Sequence, residues 1–111
     1  MKMWYNPWDI VLCPMKFSNG IGSKFRPVVI LAKDRDDYLI CAISTQLQQW
    51  WPFDVFIQSD NENHLRSQQS VIRIFKITTI TEDFIHKARW KLSQSDWIHL
   101  KENMKQFIES W

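Results

Sequence analysis

Pro27-Val28-Val29-Ile30-Leu31-Ala32, Asp34-Arg35-Asp36-Asp37 and Tyr38-Leu39-Ile40-Cys41-Ala42-Ile43 follow one another in the chain. Two apolar runs rich in β-branched residues flank five consecutive charged residues, Lys33 to Asp37. The pattern predicts two strands joined by a charged hairpin turn, the first strand buried on both faces. Upstream, Asp9-Ile10-Val11-Leu12-Cys13-Pro14-Met15-Lys16-Phe17 is a further strand-like run ending at the turn cluster Ser18-Asn19-Gly20. Pro14 has no N–H for a ladder, so this strand lies at a sheet edge or carries a bulge there. A loop over 18–25 holds both glycines of the chain.

Downstream, Ser44-Thr45-Gln46 opens a polar and aromatic loop that runs to Pro52. Phe53-Asp54-Val55-Phe56-Ile57 alternates with period two, which predicts a half-exposed strand. Residues 58–69 contain almost no apolar side chain and form a long surface loop. Ser70-Val71-Ile72-Arg73-Ile74-Phe75-Lys76-Ile77 is the last clear strand, and 81–86 fit one short helical turn. His86-Lys87-Ala88-Arg89-Trp90-Lys91 is basic and is expected as a solvated connection between helices, with a place beside a phosphate track as the alternative. Ser93-Gln94-Ser95-Asp96 is then a capping sequence. Beyond it Trp97, Leu100, Met104, Phe107, Ile108 and Trp111 recur at three- and four-residue spacing, with Lys101, Glu102, Lys105 and Glu109 on the other side. Five strands followed by an amphipathic C-terminal helix predict a mainly β fold, a small and strongly bent antiparallel barrel. The helix's apolar stripe needs a partner surface, which predicts a homodimer.

The 111 residues make one domain, 1–111, with no room for two cores. Apolar residues at 45% and charged residues at 23% exclude a disordered or fibrous chain. No apolar run approaches the roughly 18 residues that cross a bilayer, so no membrane is expected as a partner. The opening Met1-Lys2-Met3-Trp4-Tyr5-Asn6-Pro7 lacks the apolar stretch of a signal peptide, which predicts a cytoplasmic protein. Lys and Arg number 14 against 12 Asp and Glu, a net charge of +2 that by itself announces no nucleic-acid binder. Cys13 and Cys41 stand in separate strands and His64, His86 and His99 are scattered, so no metal site and no cofactor are expected. Two buried, reduced thiols are the expected state of the cysteines.

Trp8-Asp9-Ile10-Val11-Leu12, then Gly22-Ser23-Lys24-Phe25-Arg26-Pro27 running into the apolar strand, then Ile43-Ser44-Thr45-Gln46 resembles the MazF/PemK toxins of type II toxin–antitoxin systems. Ser70-Val71-Ile72-Arg73 and the Lys91-Leu92-Ser93 helix entry fit the same family in the same order, so the resemblance covers the chain from about Trp8 to its end. It implies an SH3-like plug, shared with CcdB, and a homodimer. It further implies a metal-independent endoribonuclease that cuts single-stranded RNA, arrests growth and is inhibited by a cognate antitoxin. CcdB poisons gyrase and cuts nothing, so the fold leaves that activity open as an alternative. A member that binds RNA or antitoxin without cutting is the other.

By the same resemblance Arg26 matches the catalytic Arg, and its planar, permanently charged fork suits a phosphate. Ser44 stands where the family usually has Thr, and its hydroxyl suits a phosphate or ribose oxygen; Ser44-Thr45 also fits a plain loop cap. Arg73 falls where Kid-type members carry an Arg proposed as acid or phosphate stabiliser. Those members carry an Asp two residues later as the proposed base, and here that position is Phe75. His64 is an imaginable substitute base. Trp8 stands where the family prefers Gly. Lys24, Thr45, Gln46, Trp50 and Trp51 are the candidate RNA contacts. Bases stack on exposed indoles at about 1–3 kcal/mol each, although Trp50 and Trp51 equally suit a protein interface.

Overall fold

The structure, a computed structural model, describes residues 5–16, 23–45, 52–57 and 70–111. The strands are β1 (Asp9–Lys16), β2 (Ser23–Asp34), β3 (Asp37–Ser44), β4 (Val55–Ile57), β5 (Ser70–Thr81) and β6 (Lys87–Lys91), followed by helix α1 (Gln94–Glu109). They form one antiparallel sheet in the order β4-β5-β3-β2-β1-β6, curled into a half-barrel that α1 packs against.

The expected hairpin is present, with Asp34 opposite Asp37 and Arg35 in the left-handed region at φ 59°. Val28, Val29 and Ile30 are fully buried, because β2 lies inside the sheet and both faces are covered there. Pro14 sits opposite Phe25 on one side, while β6 pairs with β1 only as far as Leu12. The missing N–H of Pro14 therefore falls beyond the end of the neighbouring strand. The short turn expected over 81–86 is a 3-10 helix at Glu82–Phe84.

Two expectations are corrected. The described strands number six, not five, and the connection between helices expected over 86–91 is an edge strand. Asp9 pairs with Lys91 and Ile10 with Trp90, the Asp9 carboxylate lying 3.6 Å from Lys91 Nζ. Cationic side chains are a common guard on a sheet edge, and in the sequence they look like solvated linker.

Alternation divides the sheet into two faces. On one face Ile10, Val29, Cys41, Ile43, Ile72 and Ile74 pack with Val55 and Ile57 beneath Trp97 and Leu100 of α1. Ser93 caps this helix, accepting a bond from Asp96 N at 3.2 Å. On the opposite face Val11, Cys13, Val28, Ile30 and Ile40 are covered by Tyr5, Tyr38 and Ile85. The helix stripe thus finds its partner mainly on its own sheet. Ile108 and Trp111, at its far end, stay exposed.

Trp8 has φ 83°, the left-handed region that costs a non-glycine residue roughly 1–2 kcal/mol. Its N–H donates to Ile30 O at 3.1 Å and its carbonyl accepts from Leu92 N at 2.8 Å, so the backbone is held from both sides. The ring lies 5.5 Å from that of Trp97, partly offsetting the strain with aromatic packing. That backbone also explains why a glycine suits this position.

Candidate functional site

Register and alternation place Arg26, Ser44 and Arg73 on the face of the sheet away from α1. Arg26 is half-buried on β2, opposite Cys13 of β1. The β2–β3 ladder ends at Val28 opposite Ala42, and alternation beyond it puts Arg26 and Ser44, each two residues farther along its strand, on the same face. Ser44 in turn pairs with Val71 of β5, and Arg73 pairs with Ala42. Directly opposed residues on antiparallel strands share a face and stand about 4.5–5.5 Å apart. Ser44, Val71 and Arg73 therefore neighbour one another across β3 and β5, and Arg26 of β2 shares their face. Thr45 is exposed one residue beyond β3. Lys24 lies on β2 opposite Met15, and its side chain is outside the described part. Gln46, Trp50, Trp51 and His64 lie outside the described residues.

The patch contains a group that sequence reasoning missed. The β4–β5 register, Val55 with Ile72, continues to Asp54 opposite Arg73. The Asp54 side chain is fully buried, with Oδ2 2.9 Å from Arg73 Nε. That Nε–H is not aimed at the carboxylate, so the contact is an ion pair rather than a well-formed hydrogen bond. Oδ1 accepts from Ile74 N at 3.1 Å. Asn103 of α1 donates to Phe53 O at 3.0 Å and so ties the segment entering β4 to the helix. The only cue in the sequence is a lone carboxylate at the head of an alternating run, and nothing there indicates that Arg73 faces it.

Beside this pair β5 departs from regular pairing. Arg73 faces Ala42, yet Cys41 faces Ile77, which leaves Ile74, Phe75 and Lys76 in a bulge against β3. Cys41 Sγ donates to Arg73 O at 3.0 Å across this irregularity. Burial, then the charge of Asp54, pushes the Cys41 thiol up to about 12. Burial alone pushes Cys13 up to about 11. Both are protonated, poorly nucleophilic thiols at neutral pH, as expected. Phe75 packs edge-on against Phe107 of α1 at 6.3 Å, in a ring cluster with Phe53 and Trp111. The position expected to hold a base therefore contacts the helix. Among the described residues no group of three or more His, Cys, Asp or Glu side chains is placed to hold a metal ion.

Among solved structures the fold is similar to the Mycobacterium tuberculosis toxin MazF-mt6, at 20% identity and TM-score 0.71 over 91% of this chain and 96% of that one. It is also similar to a MazE–MazF complex from Deinococcus radiodurans, at 12% identity and TM-score 0.71 over 96% of this chain and 97% of that one. A third match is an endoribonuclease in complex with its cognate antitoxin from a mycobacterial species, at 11% identity and TM-score 0.70 over 93% of each chain. No curated protein sequence matches at a significant level. Residues 6–108 match the model of the PemK-like, MazF-like toxins of type II toxin–antitoxin systems, and the chain belongs to that family.

Proposed function

We propose that this protein is a growth-inhibiting endoribonuclease that cleaves single-stranded RNA without a metal ion and is neutralised by a cognate antitoxin. The observation that supports this reading is that Arg26, Ser44 and Arg73 share the sheet face turned away from α1. In the reaction the ribose 2′-oxygen attacks phosphorus and loses its proton to a base. The bond from phosphorus to the 5′-oxygen breaks, and that oxygen takes up a proton. The products are a 2′,3′-cyclic phosphate and a 5′-hydroxyl. Arg26 supplies fixed positive charge to the phosphorane oxygens, and Ser44 donates a neutral hydrogen bond beside it. Arg73 adds a second cation on the same face, while Lys24, Thr45, Gln46, Trp50 and Trp51 contact the RNA.

Family membership supports the toxin role, and relatives described as endoribonucleases support the reaction class. Solved relatives bound to antitoxins support a protein inhibitor, here an acidic, aromatic-bearing segment competing with RNA for the same face. The protein acts in the cytoplasm as a homodimer. One observation favours a second reading, a weakened member that binds RNA or antitoxin with little cutting. Arg73 is tied to a buried carboxylate, and Phe75 offers no base.

The test is cleavage of single-stranded RNA by purified protein in EDTA, with the ends of the products identified. Cyclic phosphate and 5′-hydroxyl ends are expected. Uncut RNA together with arrest of gyrase supercoiling would replace this reading with a CcdB-like topoisomerase poison.

A further inference from the structure

We infer that Asp54 is a positioning residue for Arg73: its buried carboxylate holds one guanidinium nitrogen and the adjoining bulge so that the remainder of the fork faces RNA. The inference rests on the cleavage proposed above.

Asp54 is fully buried at the head of β4, and burying a carboxylate is costly unless it is paired and hydrogen-bonded. Both of its oxygens have partners on β5. Oδ2 lies 2.9 Å from Arg73 Nε, and Oδ1 takes the N–H of Ile74, the first residue of the bulge. Cys41 closes the arrangement from the other side by donating to the Arg73 carbonyl. Arg73 is thus fixed at backbone and side chain from two neighbouring strands. Its Nε is buried, so the 19% of the side chain that remains exposed belongs to other atoms. A guanidinium anchored through Nε keeps its two terminal nitrogens for a phosphate, and anchoring removes most of the rotamer freedom that a long side chain loses on binding. The carboxylate also offsets the charge of Arg73, so orientation is the main thing it adds.

Asp54→Asn is the informative variant, because the amide oxygen still accepts from Ile74 N–H while the ion pair is lost. On cleavage of single-stranded RNA it should lower kcat by about tenfold or more without raising KM, since a loosened Arg73 still attracts phosphate but no longer meets the transition state in register. In an Arg73→Ala background the same change should leave kcat unaltered, because the residue Asp54 acts through is gone. An equal fall in both backgrounds would overturn the inference. So would an unchanged kcat per folded molecule with only the melting temperature lowered.

A second measurement does not depend on cutting. The Arg73 Nε–H signal in nitrogen-15 NMR should be sharp and should shift when an uncleavable 2′-deoxy oligonucleotide is added. In Asp54→Asn it should broaden through exchange with solvent. A wild-type signal unmoved by the oligonucleotide would overturn the inference, whatever the cleavage result. A signal that moves in a protein that cuts no RNA would remove the nuclease reading and leave the positioning role standing.

Discussion

The two faces of the sheet are built from the same strands and do different work. Beneath α1 the clustered strand residues from Ile10 to Ile74 are aliphatic or a thiol, closed by Trp97 and Leu100. On the other face the same strands carry apolar side chains only toward Tyr5, Tyr38 and Ile85, and then change to Arg26, Ser44, Arg73 and Asp54. The change takes place within single strands, two residues at a time: Val28 to Arg26, Ala42 to Ser44. A period of two lets one strand supply a core on one side and charge on the other without interrupting its backbone pairing. Arg26, Ser44 and Arg73 are therefore carried by the same paired strands as the core behind them.

The sharpest way to break this comparison is one substitution on each face. Arg26→Ala should lower RNA cleavage by about 10²–10³ and barely move the melting temperature, since it removes a preorganised donor and little packing. Leu100→Ala should do the opposite. It removes a fully buried side chain, costs about 2–5 kcal/mol of stability and leaves cleavage per folded molecule unchanged. Urea unfolding alongside single-turnover cleavage separates the two. If Arg26→Ala unfolds the protein or Leu100→Ala abolishes cutting in the folded fraction, the two faces are not independent.

Which parts were legible in the sequence follows from the range of the forces involved. The charged hairpin at 34–37 and the Ser93 cap are local, so neighbouring residues alone define them. The doubly buried β2 and the Trp97 stripe follow from hydrophobic period. The strand at Lys87–Lys91 was illegible because its pairing with Asp9 and Ile10 is a long-range backbone event, masked by cationic side chains. Arg26 and Ser44 came from family resemblance, and alternation sets them on one face. Asp54 was missed because its meaning depends on Arg73, a residue that only the β4–β5 register brings opposite it.

The thiols test how dry the apolar layers are. Cys41 ionises near 9.0 when solvated and is pushed up to about 12 in the fold, so folding favours its neutral form. The stability this represents is present in full below about pH 9 and is lost as pH climbs through 9 toward 12. Cys13 and Tyr5, also raised, act in the same direction. Midpoints of urea unfolding should therefore hold steady up to pH 8 and fall steeply by pH 11. Cys41→Ala should flatten part of that fall. An identical fall in the variant would show that the thiol is not kept from ionising by burial.

Trp8 sharpens the comparison at the edge of the α1 face. Trp8→Ala loses the contact with Trp97 and keeps the left-handed backbone. Trp8→Gly loses the same ring but relieves the backbone. Glycine should be the more stable of the two by about 1 kcal/mol, as read from thermal melts. Equal stability would mean that the backbone leaves the left-handed region once the ring is gone.

Phe75→Asp carries the smallest expected effect and probes where the two faces meet. By resemblance alone it restores a missing base next to Arg73 and should raise cleavage. The bulge argues otherwise. Phe75 lies in the bulge with its ring against Phe107, while Arg73 lies on the face away from α1, already paired with Asp54. A carboxylate at 75 would sit beside Phe107, next to a ring instead of a ribose hydroxyl. Cleavage should therefore change by less than about threefold, well short of the 10²–10⁴ typical of a working general base. Stability should fall by about 1 kcal/mol or less, because Phe75 is 58% exposed and gives up only an edge-on aromatic contact. A rise of tenfold or more would show that the bulge can turn residue 75 onto the open face, and that the separation of the faces relaxes at this one strand.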